Sequence, residues 1–181
     1  PSPADKQPRI LGRVIAADAE HLHGVVAPGS YDLVFASHVL EHMRDPFGAL
    51  AGWDAALRPG GVLFLILPWK DATFDRFRAP ATLELLAQKH ARATTGEDPL
   101  GDAALDVDFE QTVRAIDLTL DYGFPPGSTA DDLRKRTLGS PEGREMLHWH
   151  VFDFHLLHEL FRCFNYDVVA ADLLEPFNYD V

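Results

Sequence analysis

Val62 to Leu67 (VLFLIL) form an unbroken apolar run, and Pro59-Gly60-Gly61 stand directly before it. An apolar run of this length after a turn signal reads as a strand buried on both faces, the pattern of a parallel sheet. Upstream, Tyr31 to Ser37 (YDLVFAS) is a second β-type run, rich in Val and aromatics. Between the two, Asp45-Pro46 offers an N-cap and a proline at the first helical position. Leu50, Trp53 and Leu57 follow at helical spacing until Arg58-Pro59-Gly60-Gly61 ends the helix. A shorter run, Arg13 to Ala17 (RVIAA), reads as a further strand closed by Asp18-Ala19-Glu20. This succession of strands and helix predicts βαβ units and a mostly parallel sheet of the α/β class.

Residues 68–147 have a different character. They are more polar and hold breakers at Pro80, Pro99, 123–127 and 139–141. Helices are expected at about 81–93, 108–119 and 130–137, as an inserted cap rather than a second core. The core pattern resumes at Leu147. Asp153 is a good N-cap, and Phe154, Leu157, Phe161 and Phe164 follow at 3–4–3 spacing. Strands are expected at Val168 to Ala171 and Phe177 to Val181. The pentapeptide FNYDV occurs at 164–168 and 177–181, but no repeat period accompanies it.

A chain of 181 residues fits one domain with an appendage. Its net charge of −12 repels phosphate backbones and anionic lipid, which argues against nucleic-acid and membrane partners. The basic run Arg134-Lys135-Arg136 is too short to reverse that. A single cysteine, Cys163, excludes an intramolecular disulfide, and its neighbours Phe161 and Phe164 predict a buried, inert thiol. The longest apolar run is too short to span a bilayer, and no secretory signal opens the sequence. A cytoplasmic protein acting on a small molecule is the resulting expectation.

Several residues carry chemistry. Asp18 follows a predicted parallel strand, so it falls at the carboxyl edge of the sheet, where ligands of open α/β sheets bind. Its carboxylate can accept from an exocyclic amine while the next N–H donates to a ring nitrogen; equally, it can cap a short turn. Ser37 and His38 follow the second strand at the same edge and are read either as ligand-facing or as loop residues. Glu41 lies one helical turn on. His42 reads as a packing residue bonded to backbone carbonyls. His148 and His150 alternate along an extended stretch and point to one side. With Asp153 they could ligate Zn²⁺ or Fe²⁺, or they line a pocket. Asp106 and Asp108 form a weaker acidic pair. Lys70, Asp75, Arg76 and Arg78 leave the end of the 62–67 strand, where they either meet an acidic or phosphorylated substrate or form a salt-bridged loop.

YDLVFASHVLEHMRDPFGAL at 31–50, followed by LRPGGVLFLILP at 57–68, resembles the second half of class I S-adenosylmethionine-dependent methyltransferases. DAEHL at 18–22 resembles the segment after that family's third strand. Pro68-Trp69-Lys70, Thr73 to Arg78, Thr82-Leu83-Glu84 and His148 to Phe152 resemble a bacterial subgroup of uncharacterised methyltransferase-domain proteins. The resemblance implies a partial Rossmann-like sheet, with 1–67 as the later part of the cofactor-binding core, 68–147 as a helical cap after the fifth strand, and 148–181 as the return to the sheet. It implies S-adenosylmethionine as cofactor, held by Asp18, Ala19, Glu20, Ser37 and His38, and a small or medium methyl acceptor. Lys70, Arg76 and Arg78 would face the acceptor, and His148, His150 or His38 would serve as base. No resident metal is expected.

The family's glycine-rich loop is missing: the only glycine ahead of Asp18 is Gly12. The sequence, which opens on Pro1 rather than Met, is therefore expected to begin at the family's third strand. Residues 13–17 would then fray, pair with 31–36 or find a partner elsewhere, and an exposed sheet edge would favour oligomers. Weak cofactor binding by these residues alone is expected, and tighter binding by a longer chain. The competing functions are a metal-dependent hydrolase or lyase built on His148 and His150, and a non-catalytic remnant.

Overall fold

The computed structural model describes residues 12, 14–99, 127–138 and 147–173. Two strands, β1 (Tyr31–Ser37) and β2 (Leu57–Ile66), run parallel. Helix α1 (Pro46–Ala56) joins them. Beyond β2 lie α2 (Leu83–Thr94), α3 (Ala130–Leu138) and α4 (Phe154–Cys163). The α/β class holds for the β1–α1–β2 unit. Of the region 68–147, the described residues supply α2 and α3; the helix expected at 108–119, the acidic pair Asp106 and Asp108, and the strand expected at 177–181 lie outside them.

The α1 N-terminus is built as its sequence requires. Asp45 Oδ1 accepts from Gly48 N–H at 3.0 Å, and Asp45 Oδ2 meets His90 Nδ1 at 2.9 Å. A Cβ at Gly48 would overlap Asp45 Oδ2, so the cap needs glycine there. Pro46 takes the first-turn site, where its missing N–H costs no bond. The RPGG segment is a loop within the strand pairing. Tyr31 lies opposite Leu57 and Leu33 opposite Val62, so residues 58–61 bulge out. Gly60 makes that turn at φ +75°, where a side chain would be strained.

Ladder alternation sends Val34, Ala36, Leu63 and Leu65 toward α1, α2 and α4. There they meet Leu40, Ala49, Leu50, Trp53, Leu86, Phe152, Leu156 and Leu160. Asp153 Oδ1 caps α4 by accepting from Leu156 N–H at 2.8 Å, and Thr82 caps α2 at Leu85 N–H. No helix among the described residues is long and apolar enough to cross a membrane.

Four expectations are corrected. Residues 14–18 form no strand; Val14 is 73% exposed, and among the described residues no strand supplies the bonds a ladder needs. The 62–67 run is not buried on both faces: Leu33, Phe35, Val62 and Phe64 point away from the helices, each about half exposed, and Phe35 stacks on Phe64 with centroids 5.5 Å apart. Val168 to Ala171 is irregular, with Val169 88% exposed. On α4 the buried face is centred on Leu156 and Leu160, while Phe154 leans on Trp69 and Cys163 is exposed. The aromatics of α4 overstated its apolar face, and the last turn carries Cys163 away from the core.

Leu50 is 1% exposed inside this cluster. Leu50→Ala should cost about 2–5 kcal/mol in urea denaturation. Val169→Ala should stay within about 0.5 kcal/mol. Equal effects would contradict the core assignment.

Candidate functional site

The carboxyl ends of β1 and β2 are Ser37 and Ile66, paired in register. The chain turns sharply there: His38 N–H donates to Ile66 O at 2.9 Å, and His38 takes a left-handed φ of +53°. A single 3-10 turn follows at Leu40–His42 and buries Leu40 and Glu41. Two other segments converge on it. From the 147–151 stretch, Trp149 N–H donates to Glu41 O at 2.8 Å. His42 Nδ1 lies 2.9 Å from Leu147 O, as the packing reading of this residue required. From the loop after β2, Arg78 Nη1 donates to Asp75 Oδ1 and to His148 O, both at 2.7 Å, and Ala81 N–H donates to Val151 O.

The third arrival is the segment after residue 17. Glu20 Oε1 accepts from Asp45 N–H at 2.8 Å and from Arg44 N–H. Trp53 Nε1 donates to Ala19 O at 2.9 Å. Residues 19–20 are therefore fastened to the stretch that follows β1 and to α1. Burial raises the Glu20 carboxyl above its ordinary value, against the pull of those two N–H donors.

The sequence-derived residues divide by position. Asp18 is exposed and accepts from Glu20 N–H at 2.9 Å and from His21 Nδ1 at 3.0 Å. Burial would raise its carboxyl, but these bonds outweigh it and lower it. Ser37 is half-buried, and His38 is exposed on the same edge. His148 is 7% exposed, its Nδ1 2.5 Å from Asp75 Oδ2. Burial tends to raise the Asp75 carboxyl, yet the His148 bond and the Arg78 charge hold it low. His150 is 2% exposed and turns toward Arg44 O at 3.4 Å, away from the His148–Asp75 contact. Asp153 is spent on the α4 cap. The metal grouping of His148, His150 and Asp153 therefore does not form; His148 sits with Glu41 and His42 instead.

Lys70 Nζ donates to Asp71 Oδ1 at 2.8 Å and to Arg76 O at 3.0 Å, and the Arg76 guanidinium lies over the Phe77 ring. Arg78 is a buried clamp rather than a surface charge. Asp75 and Glu41, read in the sequence as a loop charge and a residue just past a strand, are both buried at the centre of the site. The i,i+3 spacing of Asp75 and Arg78, and the place of Glu41 one turn past the strand, were the available signals. A groove of about 320 Å³ lies along α1, lined among others by Glu20, His21, Val26, Gly48, Ala51 and Gly52. It shares only Glu20 with the expected cofactor set.

Residues 3–65 match a family whose description is Methyltransferase domain. The match supports a class I S-adenosylmethionine-dependent methyltransferase domain. It spans β1, the 38–45 segment, α1 and nearly all of β2. Comparison with curated proteins and with solved structures gives no match.

Burial lowers the His150 imidazole to about 3, aided by nearby Lys89. An unfolded chain takes up that proton near pH 6.5, so stability should fall as pH drops from about 6.5 toward about 3. The slope from this group is at most about 1.4 kcal/mol per pH unit. Urea titrations at pH 7 and pH 5 should show the loss, and His150→Gln should flatten it. An unchanged slope in that variant would show His150 is not held neutral.

Proposed function

We propose that this chain takes part in methyl transfer from S-adenosylmethionine to a small or medium acceptor at the carboxyl edge of β1 and β2. The observation that carries the reading is the coincidence of the matched stretch, 3–65, with the β1–α1–β2 unit and the segments fastened at its carboxyl edge. The residues present fit one end of the cofactor. Asp18 is accessible, and Ala19 is fixed beside it through Trp53. Among the described residues no glycine-rich loop stands ready for the methionine end.

S-adenosylmethionine, when bound, supplies a methyl group already activated on a sulfonium. The chain's residues have to position and to exclude water. In this reading Asp18 accepts from the adenine amine and the Ala19 N–H donates to the ring. Ser37 and His38 face the ligand at the strand end. His38 is the exposed imidazole of the three named as bases, so it is the one that takes a proton from the acceptor. His148 and Arg78 hold the wall in place, and Lys70 and Arg76 border the acceptor.

Calorimetric titration with S-adenosylhomocysteine tests this reading in the present chain and in one extended upstream of Pro1. The extended chain should bind more tightly, and Asp18→Ala should weaken it about tenfold, or about 1.4 kcal/mol. Failure of the extended chain to bind, or an Asp18→Ala variant with unchanged affinity, would contradict it.

A further inference from the structure

We infer that Glu41, His42 and His148 form a binding site for a divalent transition-metal ion. Each offers one ligand atom, and the three atoms lie within 4.8 Å of one another. Ligands about 2.0–2.2 Å from a tetrahedral ion are about 3.4 Å apart, so a contraction of up to about 1.4 Å closes the site.

Glu41 gives the first independent reason. It is 1% exposed, and neither carboxylate oxygen accepts a hydrogen bond from the described residues. Its nearest ring nitrogens are His38 Nδ1 at 3.4 Å and His42 Nε2 at 3.9 Å from Oε1. A buried carboxylate left without donors destabilises the fold, and a bound cation removes that penalty.

The two imidazoles give the second. Leu147 O can only accept, so His42 Nδ1 carries the hydrogen and a neutral ring presents Nε2 as the electron-pair donor. Asp75 acts likewise on His148: its carboxylate takes the Nδ1 hydrogen and is itself fixed by Arg78. A ring that donates one N–H to a carbonyl or carboxylate and turns its other nitrogen to the ion is the usual support of a metal-ligating histidine. Both rings have that support, and they meet edge to face with centroids 4.9 Å apart. Two imidazoles and one carboxylate suit Zn²⁺ or Fe²⁺. His38, largely exposed beside Glu41, marks the side from which a fourth ligand enters. A second acidic group, Asp18 with Glu20 and His21, is exposed or half-buried and already hydrogen-bonded within the chain, and it carries no such inference.

The inference does not rest on methyl transfer, and its test reads metal alone. The metal-free full chain is titrated with Zn²⁺ against a chromogenic chelator, and in parallel with Co²⁺. One equivalent should bind, and Co²⁺ should give the visible absorption of a low-coordinate site that Zn²⁺ then abolishes. Glu41→Gln and His148→Gln should lower affinity at least about 100-fold, and Asp75→Asn about 10- to 100-fold. His21→Ala should leave it unchanged. Glu41→Gln removes a buried charge, so its metal-free form should melt no lower than the parent. Absence of stoichiometric binding and of the Co²⁺ spectrum in the unsubstituted chain would overturn the inference. So would a folded Glu41→Gln variant that binds Zn²⁺ as the parent does.

Discussion

Arg78 holds the site together. Its guanidinium reaches the Asp75 carboxylate and the carbonyls of His148 and Trp149, and it is almost wholly buried. Through it the loop leaving β2 is locked to the stretch that precedes α4, segments about 70 residues apart in sequence. A planar fork of donors suits this task, because one side chain can serve a carboxylate and neighbouring carbonyls at once. Trp149 N–H then passes the connection to Glu41, and so to the end of β1. Removing the guanidinium would leave the Asp75 carboxylate buried beside His148 without its cation, the costly way to break a buried pair.

The sheet shows a second constraint. One face of the β1–β2 pair packs under the helices, while the other carries Leu33, Phe35, Val62 and Phe64 about half exposed. Their side chains are of the kind that a doubly covered parallel sheet buries. Residues 14–18, irregular and without ladder bonds among the described residues, show the same shortage of neighbours. Among the described residues the sheet has two strands, while the composition of those strands is that of a sheet covered on both faces.

Local signals made much of this legible in the sequence. Asp45-Pro46 and Asp153 each start a helix where a side-chain cap was expected, because capping depends on residues within one turn; Thr82 caps α2 in the same way. Pro59-Gly60-Gly61 marked the turn before β2, although pairing with β1 begins earlier, at Leu57. What was not legible depends on distant partners. Apolar character in Val62 to Leu67 cannot say whether a second layer is present. Val168 to Ala171 has β-type residues but no neighbouring strand among the described residues. At the site, the sequence placed Ser37, His38 and Glu41 at a strand end and paired His148 with His150 by alternation. The fold separates those two histidines: Asp75 takes one, and the Arg44 carbonyl faces the other. Sequence separations of 73 and 106 residues leave no periodic trace.

The central claim is that the carboxyl edge of β1 is where the cofactor sits. Amide chemical-shift mapping during titration with S-adenosylhomocysteine tests it most directly. The largest shifts should then fall at Asp18 to Glu20 and at Ser37 and His38. Shifts confined to Val26, Ala51 and Gly52 along the outer groove of α1, with residues 37 and 38 unmoved, would contradict it.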